Sequence, residues 1–206
     1  KRQVDKDVKL PEERKTSAET LEADTLEVLA DLNHASQKGL QTMFDSSVGR
    51  STVNHPLGGR YQITPTEASV QKLPVQYGVT TTASVIAQGF NPYIAEWSPY
   101  HGAAYAVIEA TARLVAVGAN WSKARFSYQE YFERMDKKAE RFGQPVSALL
   151  GSIEAQIQLG LPSIGGKDSM SGTFEELTVP PTLVAFGVTT ADSRKAVSYT
   201  HLRAHE

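Results

Sequence analysis

The sequence predicts a fold of mixed strands and helices, α/β or α+β, and three observations lead to this expectation. Some segments alternate apolar and polar residues with a period of two, as half-buried strands do, whereas others repeat apolar residues at helical spacing. The two kinds of segment are interspersed along the chain, which is typical of mixed folds. The 206 residues are 40% hydrophobic and 21% charged, an ordinary globular composition that argues against intrinsic disorder.

Charge and cysteine content exclude several functional classes. The net charge is −2 and the sequence pI is about 6.3, so no basic excess favours nucleic acid or an anionic membrane surface. The absence of cysteine excludes a disulfide framework, a thiolate nucleophile and Cys-ligated metal sites. No apolar run approaches the roughly 20 residues that a membrane-spanning helix needs. We therefore expect a cytoplasmic protein without nucleic-acid or membrane partners.

The amino-terminal part predicts a linker, a short helix and a strand. Residues 1–24 are rich in charge and poorly patterned, which is typical of a linker or the end of a preceding region. From Thr25 onward, apolar residues recur at helical spacing until Gly39 ends the pattern. Residues 40–44 then predict a strand, and residues 45–49 predict a turn.

A loop and a longer strand follow. Residues 54–66 contain two glycines and two prolines, so we expect irregular structure there. Residues 73–83 alternate in character with a period of two, which predicts a strand with one buried face.

Three helices are predicted next. The first spans residues 103–117. The second begins at Ser127, where Ser127 and Glu130 have the spacing of a capping box. The third begins at Pro145 and ends at Gly160. On the first and third helices, the apolar residues expected to face the core are Ala104, Ile108, Ala112, Val115, Val146, Leu149, Leu150, Ile153 and Ile157.

The glycine-rich segment 165–172 is the strongest candidate for a site. A short strand at 162–164 leads into it, and another strand is predicted at 182–188. Two adjacent glycines would let backbone N–H groups approach an anion, and Lys167 adds a positive charge. The segment is not a Walker A loop, because Leu161 and Asp168 occupy positions where that motif requires Gly and Ser or Thr. A glycine-rich turn between two strands is the alternative.

Five segments together resemble phosphoribosylformylglycinamidine synthase in its large, single-chain form. The last of them is the most specific, and the resemblance extends over residues 25–197. The segments are 44–49 (FDSSVG), 56–66 (PLGGRYQITPT), 97–103 (WSPYHGA), 126–135 (FSYQEYFERM) and 161–174 (LPSIGGKDSMSGTF).

The resemblance implies an α+β domain like the N-terminal domain of aminoimidazole ribonucleotide synthetase, with a sheet covered by helices. Residues 25–176 would be the second copy of this domain, and residues 177–197 the first strand of the following C-domain. Residues 198–206 are outside this resemblance and resemble a translated library-adapter sequence, with a native polar tail as the alternative. The family uses ATP and Mg²⁺ to convert formylglycinamide ribonucleotide and glutamine to formylglycinamidine ribonucleotide, glutamate, ADP and phosphate. Glutamine-derived ammonia would come from a glutaminase domain, which, like the first synthetase half, lies outside this chain.

The resemblance also implies binding residues, although it places no catalytic residue in this chain. Ser169 falls where the small form of the enzyme has a substrate-contacting Ser, and Lys167 falls where that form has a metal-binding Asn. Asp168 is the candidate metal ligand. The residues implied to face ATP or a substrate phosphate are Gly165, Gly166, Lys167, Asp168 and Ser169.

A second group of implied residues concerns the nucleotide. Gln76 and Tyr77 fall where large forms contact a nucleotide and bind Mg²⁺ through Asp, and Ala119 replaces a metal-binding Glu. Ser127 and Gln129 fall near an active-site strand end, with helix capping by Ser127 as the alternative. The missing carboxylates favour a non-catalytic, structural or nucleotide-binding half-module as a second hypothesis. A kinase-like relative from the same superfamily is a third. We expect the isolated chain to be inactive.

Overall fold

The structure is a computed structural model that describes residues 17–36, 38–43 and 51–196. The predicted turn at 45–49 and the predicted tail at 198–206 lie outside the described residues. The α-helices are α1 Leu21–Ala30, α2 Lys38–Met43, α3 Pro92–Trp97, α4 Pro99–Ala116 and α5 Ala139–Leu159. The strands are β1 Thr52–Asn54, β2 Leu57–Gly58, β3 Thr64–Pro65, β4 Ser69–Lys72, β5 Thr82–Gly89, β6 Arg125–Tyr131, β7 Ser163–Ser169, β8 Thr173–Phe174, β9 Leu177–Thr178 and β10 Thr182–Asp192.

One sheet organises the described part of the chain. Its strand order is β1-β4-β5-β10-β6-β7. All neighbouring strands pair antiparallel except β6 and β7, which are parallel because α5 connects them as a crossover. Two small hairpins, β2–β3 and β8–β9, lie outside this sheet. The mixed α+β architecture expected from the sequence is confirmed.

The sequence resemblance places the strand at 182–188 at the start of a following domain, whereas in the structure this strand is part of the main sheet. β10 runs to Asp192 and lies at the centre of the sheet, between β5 and β6. It pairs along eight residues with β5 and along seven with β6, so its hydrogen bonds hold the two halves of the sheet together. Residues 177–192 therefore belong to the same folded unit as the strands before them.

Helices α4 and α5 cover one face of the sheet, and small residues allow close packing. A Cβ atom on Gly89 of β5 would overlap the carbonyl oxygen of Ala106 on α4. A Cβ on Gly151 of α5 would likewise overlap the carbonyl oxygen of Tyr100 at the start of α4. The buried side chains on this face include Val70, Val85, Ala106, Val107, Ala110, Leu114, Phe126, Ala148, Leu183 and Ala185.

The predicted helical core stripes face outward rather than inward. Ile108 and Val115 of α4 are 49% and 51% exposed, and all five stripe residues of α5 are also exposed. The core side of each helix carries small residues instead, such as Ala106 and Ala110 of α4 and Ala148 of α5. Close helix-to-sheet and helix-to-helix contact selects small side chains, so the larger apolar residues remain on the outer face.

The helix boundaries were predicted in part. The helix predicted at 103–117 exists but begins at Pro99, where the Ser98 Oγ caps it by accepting a hydrogen bond from the His101 N–H at 3.3 Å. The third helix ends as predicted at Gly160, whose φ of 67° is left-handed. That helix starts at Ala139, so Pro145 lies inside it rather than at its first position. Within the described residues, no helix is long and apolar enough to cross a membrane.

Three predicted elements differ in kind from the structure. The predicted strand at 40–44 overlaps α2, which is a helix through Met43. The predicted strand at 73–83 is mostly irregular, because β4 ends at Lys72 and β5 begins only at Thr82. The predicted helix from Ser127 is instead strand β6. There, pairing with β10 and β7 outweighs the local capping signal, and the buried Phe126 and Tyr128 follow the period of two of a strand.

Candidate functional site

The predicted glycine-rich loop is an edge strand. Residues 163–169 form β7, which pairs in parallel with β6 and places Ser127 beside Gly165, Gln129 beside Lys167 and Tyr131 beside Ser169. The Phe132 N–H beyond β6 donates to the Ser169 carbonyl at 2.8 Å. These backbone bonds explain why the segment is extended, although its glycines suggested a loop.

The strand period of two divides the predicted site residues between the two faces of the sheet. Phe126 marks the helix-covered face, because the position where a Gly187 Cβ would lie is close to both the Leu114 and the Phe126 side chains. Tyr128 and Glu130 are buried, alternate with the half-buried Ser127 and Gln129 on β6, and share that face. By register, Asp168 lies beside Glu130. Asp168 therefore lies on the opposite face from Lys167.

Four predicted residues come together on the face of the sheet opposite α4 and α5, which we call the open face. We call Ser127, Gln129, Lys167 and Ser169 the open-face polar group. The Gln129 Nε2 donates to the Lys167 carbonyl at 3.0 Å and so ties the two strands together. Lys167 is exposed, and its ammonium makes no ion pair within the described part of the chain. The group thus offers a free cation, two hydroxyls and an amide on one surface.

A cavity of about 440 Å³ opens on the same side of the sheet. Phe186 of β10 lines it, and Phe186 is also the direct neighbour of Ser127 on β6 and of Gln88 on β5. The polar lining includes the carboxamides of Gln41, Asn54, Gln71 and Gln88 and the hydroxyls of Thr52, Thr66 and Ser69. The Gln41 Oε1 atom is buried and has no hydrogen-bond partner among the described residues. A bound hydrogen-bond donor would satisfy it.

The only cation that lines the cavity among the described residues, Arg113, is paired with two carboxylates. The Arg113 guanidinium lies 3.2 Å from the Glu67 carboxylate and 2.7 Å from the Glu109 carboxylate. Glu109 also accepts a hydrogen bond from the Phe90 N–H at 2.9 Å. The sequence indicates the Glu109–Arg113 pair through its helical spacing, but it does not indicate Glu67. Glu67, Ser69 and Gln71 alternate with apolar residues in the sequence. This pattern could have predicted a strand whose polar side chains form one wall of the cavity.

Gln76 and Tyr77, which are predicted to contact a nucleotide, do not belong to the open-face polar group or to the cavity beside it. They belong to the segment that leads into the start of β5, at the opposite end of that strand from Gln88. Gln76 lines a separate cavity of about 470 Å³, and the Tyr77 side chain is 85% exposed. Ala119 is buried in the core. Within this chain, the structure does not bring Gln76 and Tyr77 together with the open-face polar group.

The helix-covered face carries a second cluster, which we call the helix-side cluster: Tyr128, Glu130 and Asp168. Glu130 is only 6% exposed. Burial and then the nearby Asp168 carboxylate raise the pKa of Glu130 to about 7. The Tyr128 hydroxyl is buried and has no hydrogen-bond partner in the part of the chain that the structure describes. Burial, followed by the charge of Glu130, raises its pKa. Sequence reasoning missed this cluster because it assigned Glu130 to a helix cap.

The open-face polar group does not provide the ligands that the expected Mg²⁺ needs. That group contains no carboxylate, and the predicted ligand Asp168 lies on the other face of the sheet. Among the described residues, no group of three or more His, Cys, Asp or Glu side chains is placed to hold a metal ion. One ion could not contact Asp168 and also a phosphate held by Lys167 and Ser169.

Comparison with known proteins gives a likeness of fold. No family model matches the sequence, and no curated protein matches it. PurLQS from Thermotoga maritima matches with a TM-score of 0.66 and 18% identity over 92% of this chain and 27% of that one. PurL of the same organism complexed with AMPPCP matches with a TM-score of 0.63 and 17% identity over 92% of this chain and 28% of that one.

A structure of phosphoribosylformylglycinamidine synthase II from Thermotoga maritima also matches, with a TM-score of 0.56 and 18% identity. It covers 72% of this chain and 22% of that one. The chain thus spans about a quarter of the length of the solved structures that it resembles. The synthetase-like fold expected from the sequence resemblance is confirmed at this level.

Proposed function

We propose that this chain is the second synthetase-like N-domain of a phosphoribosylformylglycinamidine synthase. The complete enzyme would use ATP to activate an amide oxygen of formylglycinamide ribonucleotide, and ammonia derived from glutamine would then displace the phosphate. In this proposal the open-face polar group holds a phosphate of the nucleotide or of the substrate. The first synthetase half and the glutaminase domain would be the partners of this chain.

One observation carries the proposal. The four residues Ser127, Gln129, Lys167 and Ser169, which the sequence resemblance implies as binding residues, lie on one face of a two-strand edge. They do so in a fold shared with PurL structures, one of which is complexed with AMPPCP and another with FGAR. A shared fold alone does not establish function, so the proposal depends on the position of these four side chains on one face.

The chemistry of the open-face polar group suits a phosphate. Lys167 supplies a positive charge that no carboxylate of the described residues neutralises, and the Ser127 and Ser169 hydroxyls can donate hydrogen bonds. The carboxamide of Gln129 is already used to join β6 to β7. We therefore assign Gln129 a positioning role and assign the phosphate contacts to Lys167 and Ser169.

The neighbouring cavity suits the neutral part of the same ligand. Its lining offers carboxamides and hydroxyls, and the guanidinium of Arg113 is already paired with the carboxylates of Glu67 and Glu109. Gln88 of β5 and Ser127 of β6 are separated by β10, that is, by two strand spacings of about 4.8 Å each. A ribonucleotide is long enough to place its base or sugar near Gln88 and its phosphate near Lys167.

The competing hypothesis is a half-module that holds a ligand only to fix the fold. The exposed Tyr77 and the buried Ala119 supply no carboxylate for a nucleotide-bound metal, which favours this hypothesis. The two hypotheses differ in kinetics. In a full-length homologue, replacing the lysine equivalent to Lys167 would raise the substrate KM in the catalytic case and would leave both KM and kcat unchanged in the structural case.

Calorimetric titration of the chain with formylglycinamide ribonucleotide, and separately with ATP, tests the phosphate assignment. Because a charge-assisted hydrogen bond contributes about 1.5–3 kcal/mol, Lys167→Ala should weaken binding about ten- to a hundredfold. Asp168→Asn is the matched control: it changes the adjacent residue, but on the other face, and should leave the affinity within about twofold. If Lys167→Ala stays folded and binds both ligands as tightly as the parent, the assignment is wrong.

A further inference from the structure

Gln41 is the one residue of helix α2 that lines the cavity of about 440 Å³, among the residues that the structure describes. The other lining residues belong to β1, β4, β5 and β10, to α4 and to the chain between β1 and β4. The Gln41 Oε1 atom is buried and accepts no hydrogen bond from any described residue. Because a buried amide oxygen normally accepts a hydrogen bond, this wall of the cavity suits a ligand that donates one.

Two other polar side chains of the lining already use hydrogens of their own. The Thr66 hydroxyl donates to the His55 carbonyl at 2.9 Å. The Gln71 Nε2 donates to the Ser69 Oγ at 3.3 Å. Thr66 therefore offers a ligand only the lone pairs of its oxygen. Gln41 and Thr66 thus both present acceptors to the cavity.

The sheet side of the cavity is apolar. Ile86 of β5 is 44% exposed, Phe186 of the adjacent β10 is half-buried, and both residues line the cavity. An aromatic ring beside an aliphatic side chain suits a flat group. The guanidinium of Arg113 is held 3.2 Å from the Glu67 carboxylate, so no unpaired cation in the described lining attracts an anion. The cavity therefore favours a flat, uncharged group.

We infer that Gln41 is a specificity-determining residue, which selects a neutral, planar group with an N–H donor. The N–H would donate to the Gln41 Oε1 while the plane of the group lies against Phe186. Two classes of ligand offer this chemistry, an amide of the glycinamide type and a 6-aminopurine. The inference deepens the proposed function and rests on it for the rest of the ligand, whose phosphate would lie at Lys167.

Titration of the purified 206-residue chain with two pairs of uncharged probes, followed by saturation-transfer NMR, tests the inference. One pair is adenosine and purine riboside, which lacks the amino group. The other pair is N-formylglycinamide and N-formylsarcosine dimethylamide, which has no N–H. In at least one pair, the member with the N–H should bind about tenfold more tightly, because the other member leaves a buried acceptor unsatisfied. The pair that shows this preference identifies the class of ligand.

Gln41→Met keeps the length of the side chain but removes its carboxamide. It should reduce the preference to within about twofold and leave the affinity for the members without N–H unchanged, because only the hydrogen bond is lost. A merely structural role of Gln41 would weaken both members of a pair equally. Gln158→Met makes the same change at an exposed position of α5 and should keep the preference.

Lys167→Ala should also leave the affinity for these uncharged probes within about twofold, so failure of the phosphate site and failure of this inference are distinguishable. Circular dichroism checks that each variant is folded, and the paired probes test the parent chain even if Gln41→Met is unstable. Three results would overturn the inference: no saturable binding of any probe, equal affinities within both pairs, or an unchanged preference in folded Gln41→Met.

Discussion

Lys167 and Asp168 are consecutive in sequence, yet they lie on opposite faces of the sheet. The strand conformation of β7 places Lys167 with Gln129 on the open face and Asp168 with Glu130 on the helix-covered face. The sequence predicts a loop at this segment, and in a loop both residues would belong to one site. Their identities could be predicted from the sequence, but their separation could not, because it depends on the pairing of β7 with a strand 38 residues away along the chain.

Glu130 makes stability depend on pH. Its pKa is raised from 4.5 to about 7 in the folded chain, so the folded state binds the proton more tightly than the unfolded state does. The resulting stabilisation is complete below about pH 4.5 and is lost as the pH rises through about 7. The charged carboxylate therefore destabilises the fold above pH 7.

We predict that Glu130→Gln is more stable than the parent at pH 8 by up to about 3 kcal/mol. The difference should disappear at pH 4, where both side chains are neutral. Urea unfolding at several pH values measures it, and Glu96→Gln on α3, an exposed residue, should show no such trend. A difference that does not depend on pH would mean that the carboxyl does not titrate in the expected range.

At the scale of elements, local signals succeeded where no distant partner competed with them. Helix α4 carries a long helical repeat, and α5 ends at Gly160 as predicted. β6 shows the opposite case, since Ser127 and Glu130 have capping-box spacing while Phe126 and Tyr128 follow a strand period. Pairing with β10 and β7 favours the strand over the capped helix. The local sequence pattern of β6 does not show which strands it will pair with.

The contact between α4 and α5 depends on Gly151, and α5 offers its own control. A Cβ on Gly151 would overlap the Tyr100 carbonyl oxygen, whereas a Cβ on Gly143 would meet nothing within 4 Å. We predict that Gly151→Ala destabilises the fold by about 1–3 kcal/mol through overpacking. Gly143→Ala should instead stabilise it by about 0.5–1 kcal/mol, because alanine favours helix. Thermal unfolding of both variants checks this, and equal effects would contradict the packing argument.

At the scale of the whole molecule, the fold leaves large apolar and unpaired surfaces. The outer face of α5 exposes Val146 at 55% and Ile157 at 74%. Among the described strands, β7 forms an edge of the sheet, and Ile164 on it is 77% exposed. Monomeric proteins rarely expose contiguous apolar patches, and an open strand edge promotes association. The predicted core stripe of α5 is therefore an exposed apolar surface, which no element in the described part of the chain buries.

We predict that the isolated chain self-associates and is of low stability. Burying one apolar side chain between two associating chains contributes about 1.5–3 kcal/mol. Val146→Lys combined with Ile157→Lys should therefore weaken association at least about tenfold. Gln158→Lys on the same helix adds the same kind of charge at a polar position and should change association little. Sedimentation velocity over a range of concentrations measures the effect, alongside thermal melting. A monodisperse parent monomer with a sharp cooperative melt would contradict the prediction, and the exposed apolar face of α5 would then be stable in water by itself.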